Sequence, residues 1–105
     1  MNQMETVLLS IILNPAMEES LIDWLLGRKD VSGFSTSPIN GHGSHAGTMN
    51  MSEQVTGRQQ QIMVQVQTSR VIADSIIEDL KRDYGDTGIH YWLVPVLDAD
   101  HLGTN

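Results

Sequence analysis

The apolar residues of this chain fall into short runs that predict four β-strands. Residues 5–13, ETVLLSIIL, are apolar or β-branched nearly throughout, as in a central strand that is covered on both faces. Residues 33–40 alternate in polarity, and Pro38 restricts that strand to a sheet edge or a bulge. Residues 58–68 alternate more regularly, which predicts a strand with one polar face. Residues 89–96, IHYWLVPV, are apolar on both faces, and the proline near the end places that end at a sheet edge.

Two amphipathic segments predict helices. The first begins at Asn14 and Pro15, which suit the cap and the first helical position, and ends at Gly27. The second spans residues 70–84 and follows Ser69, which is also a capping residue. The apolar stripes that we expect to be buried are Met17, Leu21, Trp24 and Leu25, widened by Ile22 and Leu26, in the first helix and Ala73, Ile76, Ile77, Leu80 and Tyr84 in the second.

The predicted order is β-α-β-β-α-β, which is typical of the ferredoxin-like α+β fold, with four antiparallel strands and both helices on one sheet face. Residues 1–105 therefore form a single predicted domain. Because the last strand is apolar on both sides, Trp92 or Tyr91 would lie on a bare sheet face in a monomer. A coiled C-terminal tail, residues 98–105, that folds back over this face is one explanation. We favour the other, a homo-oligomer in which the sheet faces pack together.

Composition excludes several classes of function. Six Lys and Arg residues against 13 Asp and Glu give a net charge of −7, so nucleic acid and anionic lipid are not expected partners. The chain has no cysteine, so any metal must bind through His, Met or carboxylate groups. The apolar run from Val7 to Leu13 is too short to span a bilayer, and Glu5 stands where a signal peptide is positively charged. We therefore expect a cytoplasmic protein that does not insert into the membrane.

No motif in the sequence predicts catalysis. The chain contains no phosphate-binding G-x-x-x-x-G-K loop and no H-E-x-x-H metal helix. Ser44 is next to His45 in the sequence, which is too local to form the geometry of a catalytic triad. The chain is therefore not expected to be an enzyme.

A polar loop, residues 43–57, separates the second and third strands. Together with the strand end before it, the loop supplies two imidazoles and two thioethers, namely His42, His45, Met49 and Met51. Imidazole suits copper, nickel or zinc, and thioether favours Cu(I) or Ag(I), so this set is a candidate site for one of these metals or cobalt. The alternatives are a loop that contacts a partner protein without metal, through adaptable methionines, and a loop with no specific role.

Five short motifs occur in order along nearly the whole chain: Gly33-Phe34, Gly41-His42-Gly43, Gly57-Arg58, Gly85-Asp86-Thr87-Gly88 and Val94-Pro95-Val96. In this order and at these spacings they resemble the PII-like superfamily, trimeric signalling proteins with a ferredoxin-like fold and a long loop between strands two and three. The strings DWLL, GHG, SEQVTGR and YWLVPV resemble a small branch of that superfamily. Its members are often encoded beside heavy-metal efflux pumps of the resistance-nodulation-division class.

The resemblance implies a homotrimeric regulatory protein whose loop, residues 43–57, contacts a component of a membrane transporter. It also implies that an effector binds in the clefts between subunits at the base of the loop. The binding residues that the resemblance assigns are Gly41, His42, Gly43, Arg58, Gly85, Asp86, Thr87 and Gly88. Glycine suits such a cleft because backbone N–H groups can approach a ligand with no side chain in the way.

The chain departs from the PII proteins that bind ATP. Those proteins hold the phosphates with basic residues before strand four and in the tail, whereas no Lys or Arg follows Arg82 here. Asp86, Asp98 and Asp100 would repel a polyphosphate. Three functions therefore stay open: a regulatory module first, a metal-binding or metal-buffering protein second, and an adenine-nucleotide sensor third.

The remaining histidines are not predicted to bind a ligand. His90 lies in the last strand and is expected to be a half-buried packing residue. His101 lies in the tail and is expected to be solvated.

Overall fold

The computed structural model describes residues 5–43 and 59–103, and within these residues the order of elements is the predicted one. The strands are β1 (Thr6–Leu13), β2 (Ser35–Gly41), β3 (Gln59–Ser69) and β4 (His90–Pro95). The helices are α1 (Glu18–Leu26), which follows a 3₁₀ turn at Pro15–Met17, and α2 (Arg70–Asp83). The strands form one antiparallel sheet in the order β2-β3-β1-β4. The ferredoxin-like α+β fold is therefore confirmed.

The predicted capping residues begin both helical segments. Asn14 accepts a hydrogen bond from the backbone N–H of Ala16 at 2.8 Å, and Ser69 accepts one from Ile72 at 3.2 Å. Within the described ranges, neither helix has the length and apolarity needed to span a bilayer. The prolines of β2 and β4 lie on the two edge strands, as predicted, because an edge strand does not need every backbone N–H for sheet pairing.

One hydrophobic core lies between the sheet and the two helices. Its strand side chains alternate along β1 and β3 and pair across them, as Leu9 does with Val66 and Ile11 with Val64. Each fully buried aliphatic side chain of this kind stabilises the fold by about 1.5–3 kcal/mol. The buried residues of this core are Leu9, Ile11, Leu13, Leu21, Leu25, Ile62, Val64, Val66, Ile76, Ile77 and Leu80. Val7, Ile12 and Ala73 are also buried.

The apolar stripe of α1 is narrower than the sequence predicts. Ile22 is half-buried, whereas Leu26 is 69% exposed. Because successive helical residues turn by about 100°, Leu26 points away from the face that buries Leu21 and Leu25. The prediction that Leu26 widens the buried stripe is therefore wrong.

Arg28 follows α1 and joins the two helices. Its guanidinium donates hydrogen bonds to Asp79 at 2.6 Å, to Asp30 at 3.0 Å and to Ser75 at 3.1 Å. The side chain is only 14% exposed, and its guanidinium carbon lies 5.6 Å from the centre of the Trp24 ring. The hydrogen bond from Arg28 lowers the pKa of the Asp30 carboxyl below its ordinary value. These contacts connect the end of α1 to the outer side of α2.

Replacing Arg28 by Ala should lower the free energy of unfolding by about 2 kcal/mol, because charge-assisted hydrogen bonds to two carboxylates are lost together. The matched control is Arg70→Ala, which breaks the exposed ion pair between Arg70 and Asp74 at 3.0 Å, one helical turn apart. That loss should be much smaller, because an ion pair between solvent-exposed side chains contributes little to stability. Urea unfolding of both variants measures the difference, and equal losses would contradict the connecting role of Arg28.

The sheet surface that points away from the helices is named here the open face. It consists of Leu8, Ser10 and Ile12 of β1, Ser35, Ser37 and Ile39 of β2, Gln61, Met63, Gln65 and Gln67 of β3, and His90, Trp92 and Val94 of β4. None of these side chains is charged. Trp92 is 43% exposed and Val94 is 41% exposed. Of the two aromatic residues of β4, Trp92 is the one on the bare face, because Tyr91 packs against the core.

The C-terminal tail does not cover the open face in the described part of the chain. The backbone N–H of Val96 donates to Thr6 at 3.0 Å, and beyond that point Leu97 and Leu102 are 98% and 89% exposed. A tail that folded back over Trp92 would bury its own leucines at the same time. The described tail residues, up to Gly103, therefore do not cover the sheet, and packing between sheet faces is the alternative that we favour.

Candidate binding cleft at the base of the loop

Ends of all four strands meet at one end of the sheet, at the base of the loop. In an antiparallel sheet the last residues of one strand lie beside the first residues of the next. Gly41 at the end of β2 pairs with Gln59 at the start of β3, and Ile12 near the end of β1 pairs with His90 at the start of β4. The two strand ends that flank the loop therefore lie at the same end of the sheet as the start of β4, and β1 lies between β3 and β4.

Two adjoining depressions at this end share Ile12, Gln59, Gln61 and His90, and together they are named here the loop-base cleft. The first has a volume of about 280 Å³ and is also lined by Ile39, Gly41, His42, Gly43 and Trp92. The second has a volume of about 500 Å³ and is also lined by Leu13, Asn14, Thr87 and Gly88. The first depression borders the open face, and the second extends to the turn before β4.

The cleft includes most of the binding residues that the resemblance assigns. Gly41, His42 and Gly43 line the first depression, and Thr87 and Gly88 line the second. These two groups belong to opposite edges of the sheet, and the cleft of a single chain spans both. The predicted residues Arg58, His45, Met49 and Met51 lie outside the described residues. Of the four predicted metal ligands, the structure therefore describes His42 alone.

The Gly85 to Gly88 turn has a conformational role that the sequence interpretation did not separate from binding. A Cβ atom on Gly85 would lie 2.7 Å from the carbonyl oxygen of Lys81, so only glycine fits against the end of α2. The hydroxyl of Thr87 donates to the carbonyl of Tyr84 at 2.7 Å. Gly85 and Asp86 do not line the cleft. Their assignment as binding residues in a cleft between subunits stays a prediction.

Gly88 adopts a backbone φ of +80°, a region that side chains other than glycine rarely occupy. The variant Gly88→Ala should therefore lose about 1–2 kcal/mol of unfolding free energy. Gly33→Ala is the matched control, because a Cβ there meets nothing within 4 Å. It should change stability little or raise it slightly. Thermal unfolding compares the two variants, and a Gly88→Ala protein as stable as the Gly33→Ala protein would contradict the conformational role.

The sequence predicts that His90 is a half-buried packing residue, and that prediction is wrong. It is exposed, it lines both depressions, and its ring lies edge-on to Trp92 with centroids 5.7 Å apart at 77°. The signal that identifies it is the two-residue period of β4, which places positions 90 and 92 on one face. The same period along β3 identifies Gln59 and Gln61. His101 is exposed in the tail, as predicted.

The family model described as "Protein of unknown function (DUF3240)" matches residues 3–103. The chain belongs to the DUF3240 family. A crystal structure of a DUF3240 family protein from Shewanella baltica OS155 is similar, with a TM-score of 0.76 and 17% identity over 94% of this chain and 98% of that chain.

A second similar structure is that of CPII, a nitrogen regulatory PII-like protein from Thiomonas intermedia K12, which contains bound ADP, AMP and bicarbonate. Its TM-score is 0.67, with 20% identity over 92% of this chain and 96% of that chain. At these identities the likeness shows the fold, so the DUF3240 chain shares its fold with a PII-like protein. No curated protein matches the chain.

The cleft of this DUF3240 chain is lined by neutral groups. Among the described residues no Asp, Glu, Lys or Arg side chain lines either depression. Three arginines, Arg28, Arg70 and Arg82, pair with carboxylates instead, and Lys81 lies 5.9 Å from the centre of the Tyr91 ring. The cleft therefore offers amide, imidazole and backbone groups, and from the described residues no positive charge for a polyphosphate.

The described part of the DUF3240 chain contains no group of three or more His, Asp or Glu residues that could hold a metal ion. A metal site in the cleft would therefore use fewer than three such side chains from residues 5–43 and 59–103. This leaves coordination positions for water, amide oxygen or another ligand.

Proposed function

We propose that this DUF3240 protein is a cytoplasmic, non-enzymatic regulator of the PII-like type. In this proposal it assembles as a homotrimer, binds a small effector in the loop-base cleft and contacts a membrane transporter through its long loop. More specifically, we propose that this transporter is a heavy-metal efflux pump of the resistance-nodulation-division class. The observation that supports the proposal most directly is that Gly43 and Gln59, which lie just before and just after the undescribed segment 44–58, both line the cleft.

This placement gives an effector a direct route to the loop. A ligand in the cleft contacts the chain where it leaves β2 and where it enters β3, so its binding energy can differ between two arrangements of the loop. A difference of a few kcal/mol is enough to change which arrangement predominates. Glycine at positions 41 and 43 gives the chain conformational freedom next to this contact.

The open face supports the proposed assembly. It has exposed Trp92 and Val94, it has no charged side chain, and the described tail leaves it uncovered. Contact with other copies of the chain would remove this apolar surface from water. The superfamily resemblance supports three as the number of chains. In such an assembly the cleft, which borders the open face, would lie next to a neighbouring subunit.

The neutral lining restricts the class of effector. CPII contains ADP, AMP and bicarbonate, so nucleotides and small anions are candidates by likeness of fold. A polyphosphate needs cationic groups, which the described lining lacks and which the sequence after Arg82 also lacks. The ordinary PII effector, ATP, is therefore disfavoured relative to an effector that binds through imidazole, amide and backbone groups.

The proposed contact predicts that the loop is required for binding to the transporter. The immobilised protein is incubated with solubilised membranes from cells grown with heavy-metal salts, and captured proteins are identified by mass spectrometry. The wild type should recover an efflux-pump component. A variant in which a short Gly-Ser linker replaces residues 44–57 should lose it, and a variant that ends after Leu97 is the matched control and should keep it. Recovery of no transporter component by the wild type, or equal recovery by the loop variant, would contradict the proposal.

A further inference from the structure

Two histidines that are distant in sequence line the same depression of the loop-base cleft. His42 follows β2 and His90 begins β4, so they come from the opposite edges of the sheet. Both residues are exposed. Within the described residues no hydrogen bond involves either imidazole, and the contact recorded for His90 is the edge-on packing with Trp92. Both rings therefore have nitrogen atoms that can bind a ligand from the cleft.

The groups around the two imidazoles suit a transition-metal ion. Gln59 and Gln61 line the same depression and can offer side-chain carbonyl oxygens as additional donors. Among the described residues no lysine or arginine lines the cleft to repel a cation, and the net charge of the chain is −7. Imidazole nitrogen is a preferred ligand of copper, nickel and zinc, and Cu²⁺ binds most tightly of these ions.

We propose that His42 and His90 are two ligands of a transition-metal site in the loop-base cleft, for which Cu²⁺ is the preferred divalent ion. This inference rests on the proposed function in that the metal ion becomes the effector of the same cleft. It assigns His90, a residue that the sequence interpretation regarded as packing, as the second imidazole ligand beside His42.

Two protein imidazoles leave most coordination positions of the ion to amide oxygens, water or an exchangeable ligand. Structural metal sites are usually closed by four protein ligands, whereas an open site allows its ion to exchange. An effector must leave its site when its concentration falls, so the small number of ligands is consistent with sensing.

Trp92 provides a spectroscopic reporter for this site. Its ring centre lies 5.7 Å from that of His90, and a bound Cu²⁺ ion quenches the emission of an indole at such short range. The other tryptophan, Trp24, lies in the helical layer, where its indole N–H donates to Asp83 at 2.9 Å. The variant Trp24→Phe therefore leaves a protein whose emission comes from the cleft alone.

The experiment titrates Cu²⁺ into the Trp24→Phe protein and follows the emission of Trp92. We expect saturable quenching, and we expect His42→Ala and His90→Ala each to weaken the apparent affinity by more than about tenfold. His101→Ala is the matched control and should leave the affinity unchanged. Electron paramagnetic resonance of the Cu²⁺-loaded wild type should show nitrogen coupling, which is reduced in each of the two cleft variants. This second measurement does not depend on Trp24→Phe folding.

Unchanged affinity in His90→Ala would overturn the assignment, as would an equal loss in His101→Ala. A loss in His45→Ala without a loss in His90→Ala would also overturn it, in favour of the loop set. Because both cleft histidines are exposed, circular dichroism should show that the variants stay folded. If the wild type ignores Cu²⁺ but still recovers the transporter component, this inference fails while the proposed function stands.

Discussion

The two-residue alternation of side chains along β3 is the constraint on which the rest of this structure depends. Ile62, Val64 and Val66 enter the core beneath the helices, and the positions between them face the other way. The same period places Gln59 and Gln61 in the loop-base cleft. A slip of one residue in the pairing would expose the valines and bury glutamines, so the core fixes the register and the register places the binding groups.

Much of the fold follows from local patterns, and the sequence predicts those parts well. Alternation, proline positions and helix caps act over a few residues, so each can be recognised without the rest of the chain. The prediction for Leu26 is wrong because an apolar residue on a short helix can point to water when the buried stripe is narrow. The sequence leaves open whether the tail covers the sheet, because the leucines of the tail indicate apolar character but not where they lie.

The binding cleft is less accessible to sequence analysis than the fold. The assignment of Gly41, His42 and Gly43 rests on the superfamily resemblance, because their short motif can be recognised in the sequence. His90 and Gln59 belong to the cleft only because antiparallel pairing places the starts of β3 and β4 at the same end of the sheet as the end of β2. The spacing of these residues along the sequence does not predict that they lie at one end of the sheet. Residues 44–58 lie outside what the structure describes, so the predicted roles of the loop side chains stay predictions.

The features of the molecule are consistent with one account of regulation. The helical layer, connected by the Arg28 contacts, supports a sheet whose far face is uncharged and partly apolar. Assembly through that face would place the cleft next to a neighbouring subunit. A neutral cleft with two imidazoles would then bind the effector, and the loop would transmit its presence.

The claim on which this account depends is assembly through the open face, and native mass spectrometry tests it most directly. The account predicts the mass of a trimer for the wild type and the mass of a monomer for Trp92→Arg. The matched control is Leu26→Arg, which adds the same charge at an exposed position of α1 and should keep the mass of a trimer. A wild type that is monomeric, or a Trp92→Arg variant that stays trimeric, would contradict it.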